Sequence, residues 1–136
     1  MNSVTTAGVR KSVSVRWRDL DFLGHLNQAV YHEFLEEGRA ALVEDLQRRT
    51  GFAFVLARVE LDHRHEVRRD HGAVDVVVRV ASTGRSSIVV HHEIVLPDGT
   101  VAAEGRSVLV AWDRERRRAR ALDDDERAYF AGVREA

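Results

Sequence analysis

The stretch Arg16-Trp17-Arg18-Asp19-Leu20-Asp21-Phe22-Leu23-Gly24-His25-Leu26-Asn27-Gln28-Ala29-Val30-Tyr31 marks where one periodicity stops and another begins. Before it, Val9, Lys11, Val13, Val15 and Trp17 alternate with Arg10, Ser12, Ser14 and Arg16, the two-residue period of a half-buried strand over Val9 to Trp17. After it, from Gln28 to about Arg49, apolar positions recur at steps of three and four through Val30, Tyr31, Phe34, Leu35, Gly38, Ala41, Leu42 and Leu46. That spacing predicts one long helix of about 33 Å, ended by a basic last turn and Gly51. The turn between holds two carboxylates, a glycine, a histidine and an asparagine at the start of that helix. A helix N-terminus has N–H groups without partners and the positive end of the dipole, so an oxyanion can be stabilised there.

Beyond Gly51 the period returns to two. Val55, Ala57, Val59, Leu61, His63, His65 and Val67 share a face in one run, and Val74, Val76, Val78 and Val80 in the next. Ile88, Val90, His92, Ile94 and Leu96 follow, then a Pro97-Asp98-Gly99 turn and a long strand from Val101 to Trp112. The odd face of that strand is mostly small, which lets a helix lie close against the sheet. Asp123 reads as the N-cap of a short closing helix, with Glu126 as its capping-box partner. Strand, long helix, then about four antiparallel strands is an α+β order in which one helix covers a sheet.

The chain of 136 residues suits one domain spanning 1–136. With 44% hydrophobic and 32% charged residues it reads as a soluble globular protein with no membrane span. Its 21 basic and 22 acidic residues leave no overall field to recruit nucleic acid. The absence of cysteine excludes thiolate chemistry and fits a reducing compartment. Met1 to Val9 lacks an apolar export segment, so a cytoplasmic location is expected.

The element order, together with Asp19-x-Asp21-x-x-Gly24-His25-x-Asn27 and Tyr31, resembles the hotdog fold and, within it, the 4-hydroxybenzoyl-CoA thioesterase-like family of acyl-CoA thioesterases. The resemblance implies an antiparallel sheet wrapped around one long central helix, in subunits that pair edge to edge. It also implies an acyl-thioester substrate, carried by CoA or by acyl carrier protein, bound where two subunits meet in a homodimer or homotetramer. The family's catalytic carboxylate falls on Asp21, and its backbone oxyanion donor falls near Gln28. Its phosphate-contacting turn falls on Gly84-Arg85-Ser86-Ser87, where Arg85, with Ser86 beside it, carries the charge. Two departures stand out: Gln28 replaces a second asparagine, and His63-Arg64-His65-Glu66 replaces a segment that holds a proline in many relatives.

Thioester hydrolysis needs a nucleophile at the carbonyl carbon and a donor for the oxygen that becomes negative. Asp21 is suited to direct attack or to taking a proton from water, but from the residues alone it is equally a turn-capping carboxylate. The resemblance assigns Asp21 to catalysis and leaves capping to Asp19 or Asn27. His25 is expected to orient or polarise the substrate, or to tune Asp21, with a structural role as its alternative. Asn27 holds the turn and is placed to touch substrate; Tyr31, one helical turn on, reads as a core aromatic beside the same site. Glu36 is a minor candidate for the carboxylate. His63, His65, His91 and His92 do not have the spacing of a metal site, and neither metal nor cofactor is expected. The arginines from Arg114 to Arg120 read as a solvated turn. The rival functions are carrier-protein thioesterase, hotdog dehydratase or hydratase, and a non-catalytic acyl-thioester binding module.

Overall fold

The long helix, α1, runs Gln28–Thr50 in the computed structural model, which describes residues 2–5 and 8–135. Part of the N-terminal stretch behind the compartment expectation lies outside the described residues. Asn27 caps α1 by accepting the Ala29 N–H at 3.0 Å, and Gly51 closes it with its N–H on the Gln47 carbonyl. Tyr31, Phe34, Leu35, Leu42 and Leu46 are all buried along one stripe. No helix among the described residues is long and apolar enough to cross a membrane.

The strands are β1 (Asn2–Thr5), β2 (Gly8–Ser14), β3 (Phe54–His63), β4 (Ala73–Thr83), β5 (Ser87–Val95), β6 (Val101–Asp113) and β7 (Arg118–Ala119), with a closing helix α2 (Asp124–Gly132). They form one antiparallel sheet in the order β1-β2-β4-β5-β6-β3, with β7 on β6. α1 lies against β2 and β4, close enough that a Cβ on Gly38 would stand 2.5 Å from Val76 Cγ1. On β6 the small face is fully buried at Ala103, Ser107 and Ala111, together with Leu109.

Two expectations are corrected. The first strand ends at Ser14, and Trp17 is not on its buried face: the chain turns there into a 3-10 turn over Trp17–Asp19, leaving Trp17 76% exposed. The single odd face predicted from Val55 to Val67 is broken by a bulge between Leu56 and Arg58. Phe54 packs on the core before the bulge and Val59 and Leu61 after it, while Val55 and Leu56 are exposed. One extra residue in a ladder exchanges the two faces.

A polar line crosses the core. Arg39 of α1 is buried and donates to Ser107 Oγ at 3.3 Å; Ser107 meets His92 Nδ1 at 3.0 Å, and His92 Nε2 meets the Glu60 carbonyl of β3 at 2.8 Å. The carbonyl only accepts, so Nε2 carries the proton, Nδ1 accepts from the serine hydroxyl, and the serine accepts from the guanidinium. Gly105 makes the approach possible, since a Cβ there would stand 2.0 Å from the Glu60 oxygen. At the end of the chain, Asp123 and Glu126 form the expected capping box on α2. Arg120 departs from the solvated turn: it clamps the buried Glu126 carboxylate through two bonds of 2.7 and 2.6 Å.

Candidate active site

Between the 3-10 turn and α1 the backbone folds into a tight loop. Asp21 N–H donates to the His25 carbonyl at 2.8 Å and Gly24 N–H to the Asp21 carbonyl at 3.1 Å. Gly24 takes φ +77°, a left-handed conformation that a side chain would strain. The loop is tied to the chain before β4 by an antiparallel bridge between His25 and Arg68 and by Leu26 N–H on the Val67 carbonyl at 2.8 Å.

Asp19 and Asp21 separate clearly. Asp19 is 1% exposed: its carboxylate accepts the Arg16 N–H at 2.8 Å and the Arg16 guanidinium at 2.9 and 3.1 Å. Burial pushes that carboxyl up, but the bonds and charge of Arg16 outweigh it and hold it below its usual range. Its own carbonyl accepts the Asn27 N–H at 2.8 Å, so Asp19 braces the turn against the helix cap. Asp21 is half-buried; its Oδ1 accepts the N–H of Leu23 at 2.9 Å and of His25 at 3.1 Å. Its Oδ2 has no partner among the described residues.

Asp21, His25, Gln28 and Tyr31 border one open hollow of about 340 Å³, whose other wall is His63, Arg64, His65 and Glu66. Because the Asn27 side chain takes the Ala29 N–H and the Asn27 carbonyl the Val30 N–H, the Gln28 N–H is left without a partner among the described residues. Tyr31 is buried and meets the His63 ring in a T-shaped contact with ring centroids 4.7 Å apart, and burial with the nearby Asp21 and Glu66 carboxylates pushes its phenol up. Asn27 serves as the cap and does not border the hollow; neither does Glu36, which is exposed on α1. Arg85 and Ser86 lie past the far end of β4, roughly 33 Å along that strand from the end nearer the hollow. Among the described residues, no three His, Asp or Glu side chains gather as metal ligands would.

Sequence reasoning missed Glu66. One of its oxygens lies 3.0 Å from His25 Nε2 as an ion-pair contact, and the other accepts from Arg68 Nη1 at 2.8 Å. Its only signal was the charged His63-Arg64-His65-Glu66 segment itself.

Residues 15–130 match the family described as the thioesterase-like superfamily. The chain belongs to the thioesterase-like superfamily. The fold of this superfamily member is the hotdog fold, and its class of chemistry is thioester hydrolysis. A thioesterase from Thermus thermophilus, solved with coenzyme A and zinc, is 33% identical over 91% of this chain and 92% of that one, with a TM-score of 0.79. A predicted thioesterase from Bacillus stearothermophilus is 25% identical over 92% of this chain and 95% of that one, with a TM-score of 0.84. Comparison with curated proteins gave no match.

Proposed function

We propose that the protein hydrolyses an acyl-CoA to the free acid and CoA, with Asp21 as nucleophile or general base and the Gln28 N–H as oxyanion donor. The observation that carries this reading is that an Asp21 oxygen and the first N–H of α1, both without partners among the described residues, belong to residues bordering one hollow. The dipole at the N-terminus of α1 stabilises the negative charge developing on the thioester oxygen. A preorganised donor of this kind is worth about 2.7–4 kcal/mol in the transition state. His25, whose own N–H holds Asp21 Oδ1, acts beside it, while Asn27 sets the helix entry and Tyr31 lines the acyl-thioester's path. The choice of CoA as carrier is supported by the relative from Thermus thermophilus, which was solved with coenzyme A.

Arg85, with Ser86, takes a CoA phosphate in this reading. Given the length of β4 between Arg85 and the hollow, the Arg85 that serves one site comes from a different copy of the chain than the Asp21. Arg85→Ala should raise KM for acyl-CoA with kcat little changed, as loss of uniform binding does; an unchanged KM removes the assignment. The reading as a whole is tested by following free-thiol release from a panel of aliphatic and aromatic acyl-CoAs and from the same acyl groups on carrier protein. Release from CoA thioesters supports it. Release from carrier protein alone moves the substrate to the rival carrier, and hydration of an enoyl thioester without thiol release identifies a hydratase.

A further inference from the structure

We infer that Glu66 is a positioning residue for His25, and that the pair supplies the proton acceptor for the water that completes hydrolysis; this rests on Asp21 acting as the nucleophile. The His25 ring and Glu66 Oε2 are 3.0 Å apart through Nε2. A carboxylate oxygen this close repels a lone pair on Nε2, so in the neutral ring Nε2 carries the proton and Nδ1 is left with the lone pair. Glu66 is itself fixed: Oε1 takes the Arg68 guanidinium at 2.8 Å, and Asp70 holds that guanidinium from the other side at 2.9 and 3.2 Å. The bond from Arg68 keeps the Glu66 carboxyl below its usual range against the opposing effect of desolvation. The same short segment holds His25 by its backbone, through the His25–Arg68 bridge and the bond from Leu26 to Val67. Ring and main chain are therefore oriented together, and the His25 N–H reaches Asp21 Oδ1 at 3.1 Å.

The arrangement gives each proton a destination. An Asp21 oxygen attacks the thioester carbonyl carbon, the carbon–sulfur bond breaks, and a thiolate leaves a mixed anhydride on the enzyme. Water then attacks the acyl carbon while one of its protons passes to His25 Nδ1; the bond to the Asp21 oxygen breaks and its electron pair returns to the carboxylate. The imidazolium, its charge balanced by Glu66, gives its proton to the thiolate. One water and one thioester become one acid and one thiol.

Glu66→Gln tests the role. The amide keeps the shape and an acceptor for Arg68, but its NH₂ donates to Nε2 and moves the ring proton to Nδ1, removing the lone pair. The expected result is a fall in kcat of about 10-fold or more, with KM within about 2-fold. His25→Gln should lose a similar amount, and the double variant no more than the worse single one. Unchanged turnover in Glu66→Gln, or losses that multiply in the double variant, overturns the inference. A measurement on the unaltered protein guards against misfolding of the variant: ¹⁵N correlation spectra of the His25 ring should show the Nε2–H tautomer, and an Nδ1–H tautomer overturns the inference. Asp21→Asn separates the two readings. An inert Asp21→Asn beside a fully active Glu66→Gln overturns this inference alone, and an active Asp21→Asn overturns the reading it rests on.

Discussion

Asp19 and Asp21 stand two positions apart and meet opposite surroundings. Asp19 spends both oxygens on Arg16 and is shut away from solvent, whereas Asp21 commits one oxygen to two backbone N–H groups and leaves the other free among the described residues. Asp19→Asn therefore removes charge-assisted bonds from a buried position and should cost about 1.5–3 kcal/mol of stability, with kcat within a few-fold of the parent. Urea unfolding beside steady-state kinetics checks this, and a stable but inactive Asp19→Asn would contradict the division of labour. The turn that carries these two carboxylates was legible because it lies where a strand period gives way to a helix period; their different surroundings were not, because Asp and Asp two positions apart look alike in sequence. Glu66 was not legible: its pairing with His25 depends on a loop docking against a distant segment, and no local periodicity carries that contact.

The long helix could be read because its three- and four-residue spacing is sustained and both ends carry recognisable stops, Asn27 and Gly51. The faces of β3 could not, since a single bulged residue reverses inside and outside without leaving a mark in composition. His92 was visible on an apolar face, but its partners lie on three other elements, Arg39 on α1, Ser107 on β6 and Glu60 on β3. Burial lowers the His92 imidazole from its ordinary value, the bond to the Glu60 carbonyl opposes that, and Arg39 adds to the lowering. The unfolded chain thus binds a proton near its ordinary pKa of about 6.5 that the folded chain refuses. The contribution of this contact is full above that value and is lost as pH falls below it. The melting temperature should accordingly fall between about pH 7.5 and 5.5, before buried carboxylates such as Asp19 and Glu126 begin to titrate. His92→Gln, which bridges Ser107 and Glu60 without titrating, should show a shallower fall; an identical slope in the two proteins would assign the pH dependence to other groups.

Two surfaces of the molecule are unfinished. β3 stands at one end of the sheet order with Val55 and Leu56 exposed, and Trp17, Phe22 and Leu23 stand 76, 95 and 63% exposed around Asp21. An open strand edge and an apolar cluster beside a polar site are features that a second copy covers. Sedimentation should give at least twice the 15.4 kDa chain mass at micromolar concentration, and Leu56→Glu should shift the protein toward monomer and lower kcat/KM with it. A wild-type monomer with full activity would contradict this. The fold and class were legible from the order of elements and one turn, while the number of copies was not, because an open edge or an apolar patch in one chain does not count partners. The reading turns most directly on Asp21. Its direct test is thiol release from acyl-CoA by purified Asp21→Asn, which keeps the size and turn-forming ability of the residue and removes only the charge that attacks or accepts a proton. The expected result is a folded protein that still binds acyl-CoA with kcat reduced by orders of magnitude; near-normal turnover, or loss of turnover in a well-folded Glu36→Gln alone, would contradict the assignment of Asp21.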